Sequence, residues 1–291
     1  MNRTIRTLAA AVLAFALVGC GTKDAGSTAE SGKKEDKVIR VGATSVPHAE
    51  ILNEAVASIV EKDGWKLEVT EFTDYVTPNT SLEDGSLDAN YFQTLGYMQD
   101  QNKSNGLHLA AVGGVHIEPM GIYSESLKAL DELKDGAAIS LPNDKDNLDR
   151  ALRFLVQQGL LEDPKTEEYV TETTFNGNKE LNPHGYELQP VEAAQVSRTL
   201  SDVDAAVING NYALEAGLPS KTPALVIEEF DTEASIARTN FIVVKQGSED
   251  SEKTKELVKA VSSEEVKKYI EDTYKGAVIP SFIDENGKAL N

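Results

Sequence analysis

From Val38 onward, short apolar runs alternate with stretches whose apolar residues recur every three or four positions. Val38-Ile39-Arg40-Val41-Gly42-Ala43 predicts a strand. Ile51, Leu52, Ala55, Val56, Ile59 and Val60 fall on one helical face, and Lys66 to Phe72 alternates as a second strand, completing a βαβ unit. Further along, Ala137 to Leu141 predicts a strand and Asn147 to Gln158 a helix stopped by Gly159. Val203 to Ile208 and Asn240 to Val244 predict two more buried strands, and Ser251 to Val261 and Glu264 to Tyr274 two amphipathic helices. Strands alternating with helices imply an α/β architecture with mostly parallel sheets.

The amino-terminal residues break this pattern. Arg3 and Arg6 precede an apolar run from Leu8 to Val18, shorter than the roughly 20 residues a membrane-spanning helix needs. Residues 1–19 therefore read as an export leader, outside the fold. The run ends at Leu17-Val18-Gly19-Cys20, which resembles a bacterial lipobox and implies cleavage before an acyl-modified Cys20; several acyl chains on one residue anchor a protein stably. Cys20 is the only cysteine, which leaves no intramolecular disulfide and no Cys-rich metal site. Residues 20–37 hold no large apolar residue to seed a core and read as a lipidated flexible tether. The remaining stretch of about 254 residues is long enough for two lobes with separate cores.

Charge narrows the partners. The chain has 28 basic and 48 acidic residues, and losing Arg3 and Arg6 with the leader leaves 26 against 48. Such an acidic chain is a poor match for nucleic acid and repels anionic headgroups, so membrane attachment rests on the lipid anchor. The sequence carries no G-x-S-x-G elbow, Walker loop, G-x-G-x-x-G or H-E-x-x-H motif. His48, His108, His116 and His184 are scattered, none with a second histidine at ligand spacing, so the expectation is no metal, no cofactor and no catalytic residue.

Three segments place aromatic and polar residues where strands end: Phe72-Thr73-Asp74-Tyr75-Val76-Thr77-Pro78-Asn79, Leu87 to Tyr97 (containing Asp88-Ala89-Asn90-Tyr91-Phe92-Gln93), and Leu141 to Arg150 (containing Pro142-Asn143-Asp144). Together they resemble the methionine-binding lipoproteins of ABC importers, the NlpA-type family, with its patterns F-x-D-Y-V-x-P-N, G-x-x-D-A-N-x-F-Q-H-x-P-Y and P-N-D-x-x-N-x-x-R. The likeness extends through Ala206-Val207-Ile208-Asn209 and Thr239-Asn240-Phe241-Ile242-Val243 to Gly276-Ala277-Val278-Ile279-Pro280.

The resemblance implies an α/β, two-lobed periplasmic-binding-protein fold of type II with a ligand cleft between the lobes. It also implies a role as the solute-capturing partner of an ABC permease and its ATPase. The positions matching Tyr75, Phe92 and Tyr97 would line an apolar pocket, and those matching Asn147, Arg150, Asn209 and Asn240 would hold an amino-acid backbone. A guanidinium fork suits a carboxylate, amides serve either end of a zwitterion without adding charge, and aromatic faces suit a thioether. Read without the resemblance, Phe92, Tyr75 and Tyr97 also fit ordinary core packing, and Arg150 a helix surface where it pairs with Asp146 or Asp149. Two positions depart from the family: Thr94 stands for its histidine and Gly96 for its proline, which opens the choice among methionine, a derivative, a short peptide and another apolar amino acid.

The expected organisation is a first lobe from residues 38–120 plus 242–291 and a second from 121–241. Hinges are expected near His116-Ile117-Glu118-Pro119 and Asn240-Phe241. The expected protein is a monomer, lipid-anchored on the outer face of the cytoplasmic membrane. Other readings on the same scaffold are an extracytoplasmic enzyme and an adhesin or sensor that binds a protein.

Overall fold

The computed structural model describes residues 37–229 and 232–290; the leader, Cys20 and the tether as far as Asp36 lie outside the described residues. Four strands come first: β1 (Val38–Thr44), β2 (Lys66–Phe72), β3 (Ala89–Thr94) and β4 (Leu109–Ile117). The chain then builds a second sheet from β5 (Gly121–Tyr123), β6 (Ala138–Pro142), β7 (Glu187–Val191), β8 (Ala205–Ile208) and β9 (Val226–Ile227). It returns to the first through β10 (Thr239–Lys245) and β11 (Ile279–Pro280). Strand order is β11-β4-β10-β3-β1-β2 in the first sheet and β7-β6-β8-β5-β9 in the second.

The sheets are mixed, which corrects the expectation of mostly parallel pairing. β1 pairs in parallel with β2 and β3, and β6 with β7 and β8. β10 is antiparallel to both of its neighbours, β3 and β4, and β5 is antiparallel to β8 and β9. The cause is the route of the chain: β10 arrives from the second sheet through the helix Thr232–Arg238 rather than by a βαβ crossover from β3 or β4, so nothing requires it to run parallel. Because β10 begins at Thr239, the first sheet takes up the chain ahead of Ile242.

Each sheet has its own core. Ile39, Val41, Ile51, Leu52, Trp65, Ile242, Leu257 and Ile270 pack on the first, and Ile122, Ile139, Leu152, Phe154, Phe175 and Val207 on the second. Each fully buried aliphatic or phenyl side chain contributes about 1.5–3 kcal/mol. The carboxy-terminal helices Glu252–Val261 and Glu264–Tyr274 are capped by Ser251 and Ser263, whose hydroxyls accept from Thr254 N and Val266 N. The expected helix from Ile51 is less regular than its periodicity implies, with wide π-type turns at Ser45–Ala49 and Leu52–Val56 before Ala57–Lys62 closes it.

β3 is buried along its whole length because β1 and β10 flank it. Its polar residues are matched from below. Asn79 Nδ2 donates to Gln93 Oε1 at 2.9 Å, and Asn79 Oδ1 accepts from Asn90 Nδ2 at 2.8 Å and Gln93 Nε2 at 2.6 Å. This amide cluster pins the helix Thr77–Glu83 to the strand and fixes which way Phe92 and Thr94 point.

Candidate functional site

All eight sequence-identified residues border one cleft. Tyr75, Phe92, Thr94, Tyr97, Asn147, Arg150, Asn209 and Asn240 are joined there by Gln93, Glu118, Gly210 and Asn211, which sequence reasoning had not placed in the site. The cleft and its mouth leave about 360 Å³ free of protein atoms.

The apolar side is a packed set of rings. Tyr75, on the loop after β2, lies 5.7 Å from Phe92 and 5.6 Å from Tyr97, and stacks at 5.0 Å on Tyr212 from the helix Gly210–Glu215. Tyr75 Oη donates to Asn211 Oδ1 at 2.6 Å, and Tyr97 Oη donates to the Tyr75 carbonyl at 3.1 Å. Residues following strands of both sheets therefore meet across the cleft. The same is true at Gly96: a Cβ there would collide with Asp146 Oδ1, so glycine is what lets Asp146 fold over the start of the helix Leu95–Asn105. Thr94 caps that helix, accepting from Tyr97 N, and donates to Asp146 Oδ2 at 3.4 Å.

The polar side is a row of amides ordered by one carboxylate. Asp144 caps the helix Lys145–Gln157, and its Oδ1 accepts from the Asn147 backbone and from Asn147 Nδ2, both at 3.0 Å. This cap is why the helix starts two residues before Asn147. Since Asp144 Oδ1 accepts, Asn147 must turn Oδ1 toward Asn209, whose Nδ2 donates to it at 2.7 Å. Asn209 Oδ1 is then left aimed away from the row without a partner. Among the described residues four buried side-chain polar atoms have no hydrogen-bond partner, and three belong here: Asp144 Oδ2, Asn209 Oδ1 and Asn211 Nδ2. Leaving such an atom unmatched costs about 1–3 kcal/mol, so Asn209 and Asn211 offer the cleft they line one acceptor and one donor for a bound molecule or water, with Asp144 Oδ2 behind Asn147 as a further buried acceptor. Burial raises the Asp144 carboxyl to about 6, against the pull of the Asn147 hydrogen bonds.

Arg150 is buried, and its partner is neither Asp146 nor Asp149 but Glu228. Nε donates to both Glu228 oxygens at 3.1 Å and Nη2 to Oε2 at 2.6 Å, while Nη2 also donates to the Glu118 carbonyl at 2.9 Å. Nη1 is the nitrogen not used in these bonds. Burial pushes the Glu228 carboxyl up, but Arg150 and Arg238 outweigh it and hold it below the usual range. The pairing spans 78 positions of sequence, so no local spacing could have pointed to it.

Beneath the cleft lies a second polar group. His48 Nε2 sits 3.2 Å from both Asn240 Oδ1 and Glu118 Oε1, and His116 Nε2 is 2.5 Å from the same Glu118 oxygen. Thr44 Oγ1 bonds His48 Nδ1 at 2.8 Å, and Tyr91 Oη bonds His116 Nδ1. Burial lowers His48 to about 4 and His116 to about 3, and raises Glu118. Both imidazoles are therefore neutral near pH 7, and their contacts with Glu118 are hydrogen bonds rather than ion pairs.

A model of the NlpA lipoprotein family matches residues 39–282. The chain belongs to the NlpA lipoprotein family. It is similar to the methionine-binding lipoprotein MetQ of Bacillus subtilis, 39% identical over 279 residues that cover 94% of this chain and 97% of that one. Among solved structures it resembles a nutrient-binding protein from Burkholderia cenocepacia bound to methionine, at 38% identity and a TM-score of 0.77, covering 84% of this chain and all of the other. The substrate-binding protein of a methionine transporter from Streptococcus pneumoniae is 32% identical with a TM-score of 0.77, covering 84% of this chain and 95% of that one. The NlpA chain thus has the two-lobed α/β fold of periplasmic substrate-binding proteins, and its family is one of substrate-binding lipoproteins.

Proposed function

We propose that this protein captures methionine, or a related small amino acid or derivative, and delivers it to an ABC permease with its ATPase. The observation that supports this most is the unmatched pair of buried acceptors and one buried donor in the amide row, beside the ring-lined pocket. An α-ammonium satisfies Asn209 Oδ1 and lies near Asp144, and a carboxylate takes Asn211 Nδ2 and the remaining Arg150 nitrogen. The side chain then enters between Tyr75, Phe92 and Tyr97, where a thioether gains sulfur–ring contact. The methionine-binding relatives that the chain resembles support this reading.

The lobes are the parts that carry the two sheets, and the chain crosses between them at Glu118–Met120 and again before Thr239. Contacts made by both lobes exist only when the cleft is closed, so the solute shifts the population toward the closed form. No covalent step is involved, and a monomer suffices. The Cys20 anchor holds the protein on the outer face of the cytoplasmic membrane.

The test is a calorimetric titration of the ligand-stripped protein with L-methionine, D-methionine, a methionine dipeptide and other apolar amino acids. One saturable, one-to-one isotherm is expected. A flat response to the whole panel would overturn amino-acid capture.

A further inference from the structure

We propose that His48, His116 and Glu118 form a binding site for a divalent transition ion of the zinc class at the floor of the cleft. All three side chains are buried, and one ligand atom from each lies within 4.8 Å of the others. Both imidazoles turn Nε2 toward one carboxylate oxygen, Glu118 Oε1. A tetrahedral zinc with ligands at about 2.0–2.1 Å separates neighbouring ligand atoms by about 3.3 Å. The 3.2 Å between His48 Nε2 and Glu118 Oε1 already matches that edge, and the 2.5 Å at His116 must widen, which a rotation of the Glu118 carboxylate supplies. Asn240 Oδ1, 3.2 Å from His48 Nε2, is a further oxygen beside this group.

The surroundings suit an ion as well as they suit a proton. The partners of the two Nδ1 atoms are hydroxyls, Thr44 Oγ1 and Tyr91 Oη, each able to donate or accept. When the ion binds, each imidazole moves its N–H from Nε2 to Nδ1 and the hydroxyl turns from donor to acceptor, which keeps each Nδ1 bonded and leaves the hydroxyl hydrogen to turn elsewhere. A hydrogen bond from the second ring nitrogen to a neighbouring acceptor fixes the orientation of a histidine ligand around a metal. Entry is through the cleft, which Glu118 and Asn240 border. The placement also has a mechanical consequence. His48 and His116 belong to the first sheet's framework, while Glu118 and Asn240 flank the two places where the chain passes between sheets. An ion here ties both crossings together.

The experiment uses the purified full-length protein in detergent, dialysed against a chelator and titrated with Co²⁺ and then Zn²⁺ while its visible absorption is recorded. The expected result is saturation at one Co²⁺ per chain with the intense bands of a four-coordinate site, and their displacement by one Zn²⁺. Co²⁺ affinity should fall at least about tenfold in His116→Gln and in His48→Gln, with folding checked by circular dichroism. If neither variant folds, Co²⁺-shifted imidazole proton resonances of the unaltered protein identify the ligands. Absence of a stoichiometric band would show a proton-bonded network only and overturn the proposal, as would a band kept at full strength in folded His116→Gln. The titration needs no solute, so its failure leaves amino-acid capture standing.

Discussion

The ring-lined and amide-lined parts of the cleft are built to different degrees of completion. Tyr75, Phe92, Tyr97 and Tyr212 satisfy one another: their faces stack and tilt within about 6 Å, and the Tyr75 and Tyr97 hydroxyls have acceptors. The amide row is finished only up to Asn209, where a chain of donors and acceptors starting at Asp144 ends on a bare oxygen. The apolar part can thus accept a range of side chains at little penalty, because area and shape are forgiving. The amide row rejects a molecule lacking the right donors, because its buried atoms then stay unmatched.

The largest effect belongs to Arg150→Ala, which leaves the buried Glu228 carboxylate with the Met120 N–H and the longer contact to Arg238 at 3.6 Å in place of its bidentate partner. Removing one member of such a pair costs about 3–5 kcal/mol, which a thermal melt should register as a fall of several degrees or more. Arg150→Ala combined with Glu228→Gln should recover much of that stability without recovering solute binding. An unchanged melting temperature in the single variant would mean the pair is not the buried anchor described.

Asn209→Ala removes the unmatched Oδ1 together with the Nδ2 that serves Asn147, so it should cost some stability and, separately, solute affinity through the lost Oδ1. A loss of about 1–3 kcal/mol of binding is expected by calorimetry. Unchanged solute affinity in the folded variant would erase the contrast between the two parts of the cleft.

Next comes pH. With its carboxyl raised from the ordinary range to about 6, Asp144 binds more protons in the folded state than in the unfolded one between about pH 4 and 6. Its ionisation therefore lowers ligand-free stability as pH rises through that window. A cationic group held at Asn209 favours the ionised carboxylate, so solute affinity should move the other way. It should weaken by up to about tenfold per pH unit below about 6 and level off above it. Affinity that is flat from about pH 5 to 7.5 would place the ammonium elsewhere.

The smallest effect is expected of Tyr75→Phe, which loses the hydroxyl bond to Asn211 but keeps the ring. About 0.5–1.5 kcal/mol of binding should go, with affinity for longer apolar side chains changed least.

Much of this was legible in the sequence, for reasons that differ by residue. Periodicity found the carboxy-terminal helices because each buries one face, and β1 and β2 because their apolar residues pack on the first core. β3 escaped it because its polar residues, Asn90 and Gln93, are buried too, matched by Asn79 rather than exposed. The antiparallel insertion of β10 depends on where a distant segment returns, which no local pattern records. Tyr75, Phe92, Thr94, Tyr97, Asn147, Arg150, Asn209 and Asn240 stood out because motifs carried them. Glu118 and Glu228 did not: the first was read only as part of a hinge, and the second is visible only once Arg150 is seen to be buried. Gly96 was read only as a departure from the family's proline, whereas the closeness of Asp146 is what requires it.

The most direct test compares, by calorimetry on the ligand-stripped protein, L-methionine with its 2-hydroxy analogue and its methyl ester. Tight binding of methionine and at least about a tenfold loss for each analogue is expected, since each leaves buried atoms of the amide row unmatched. Equal affinity for all three would contradict recognition through the amide row and Arg150.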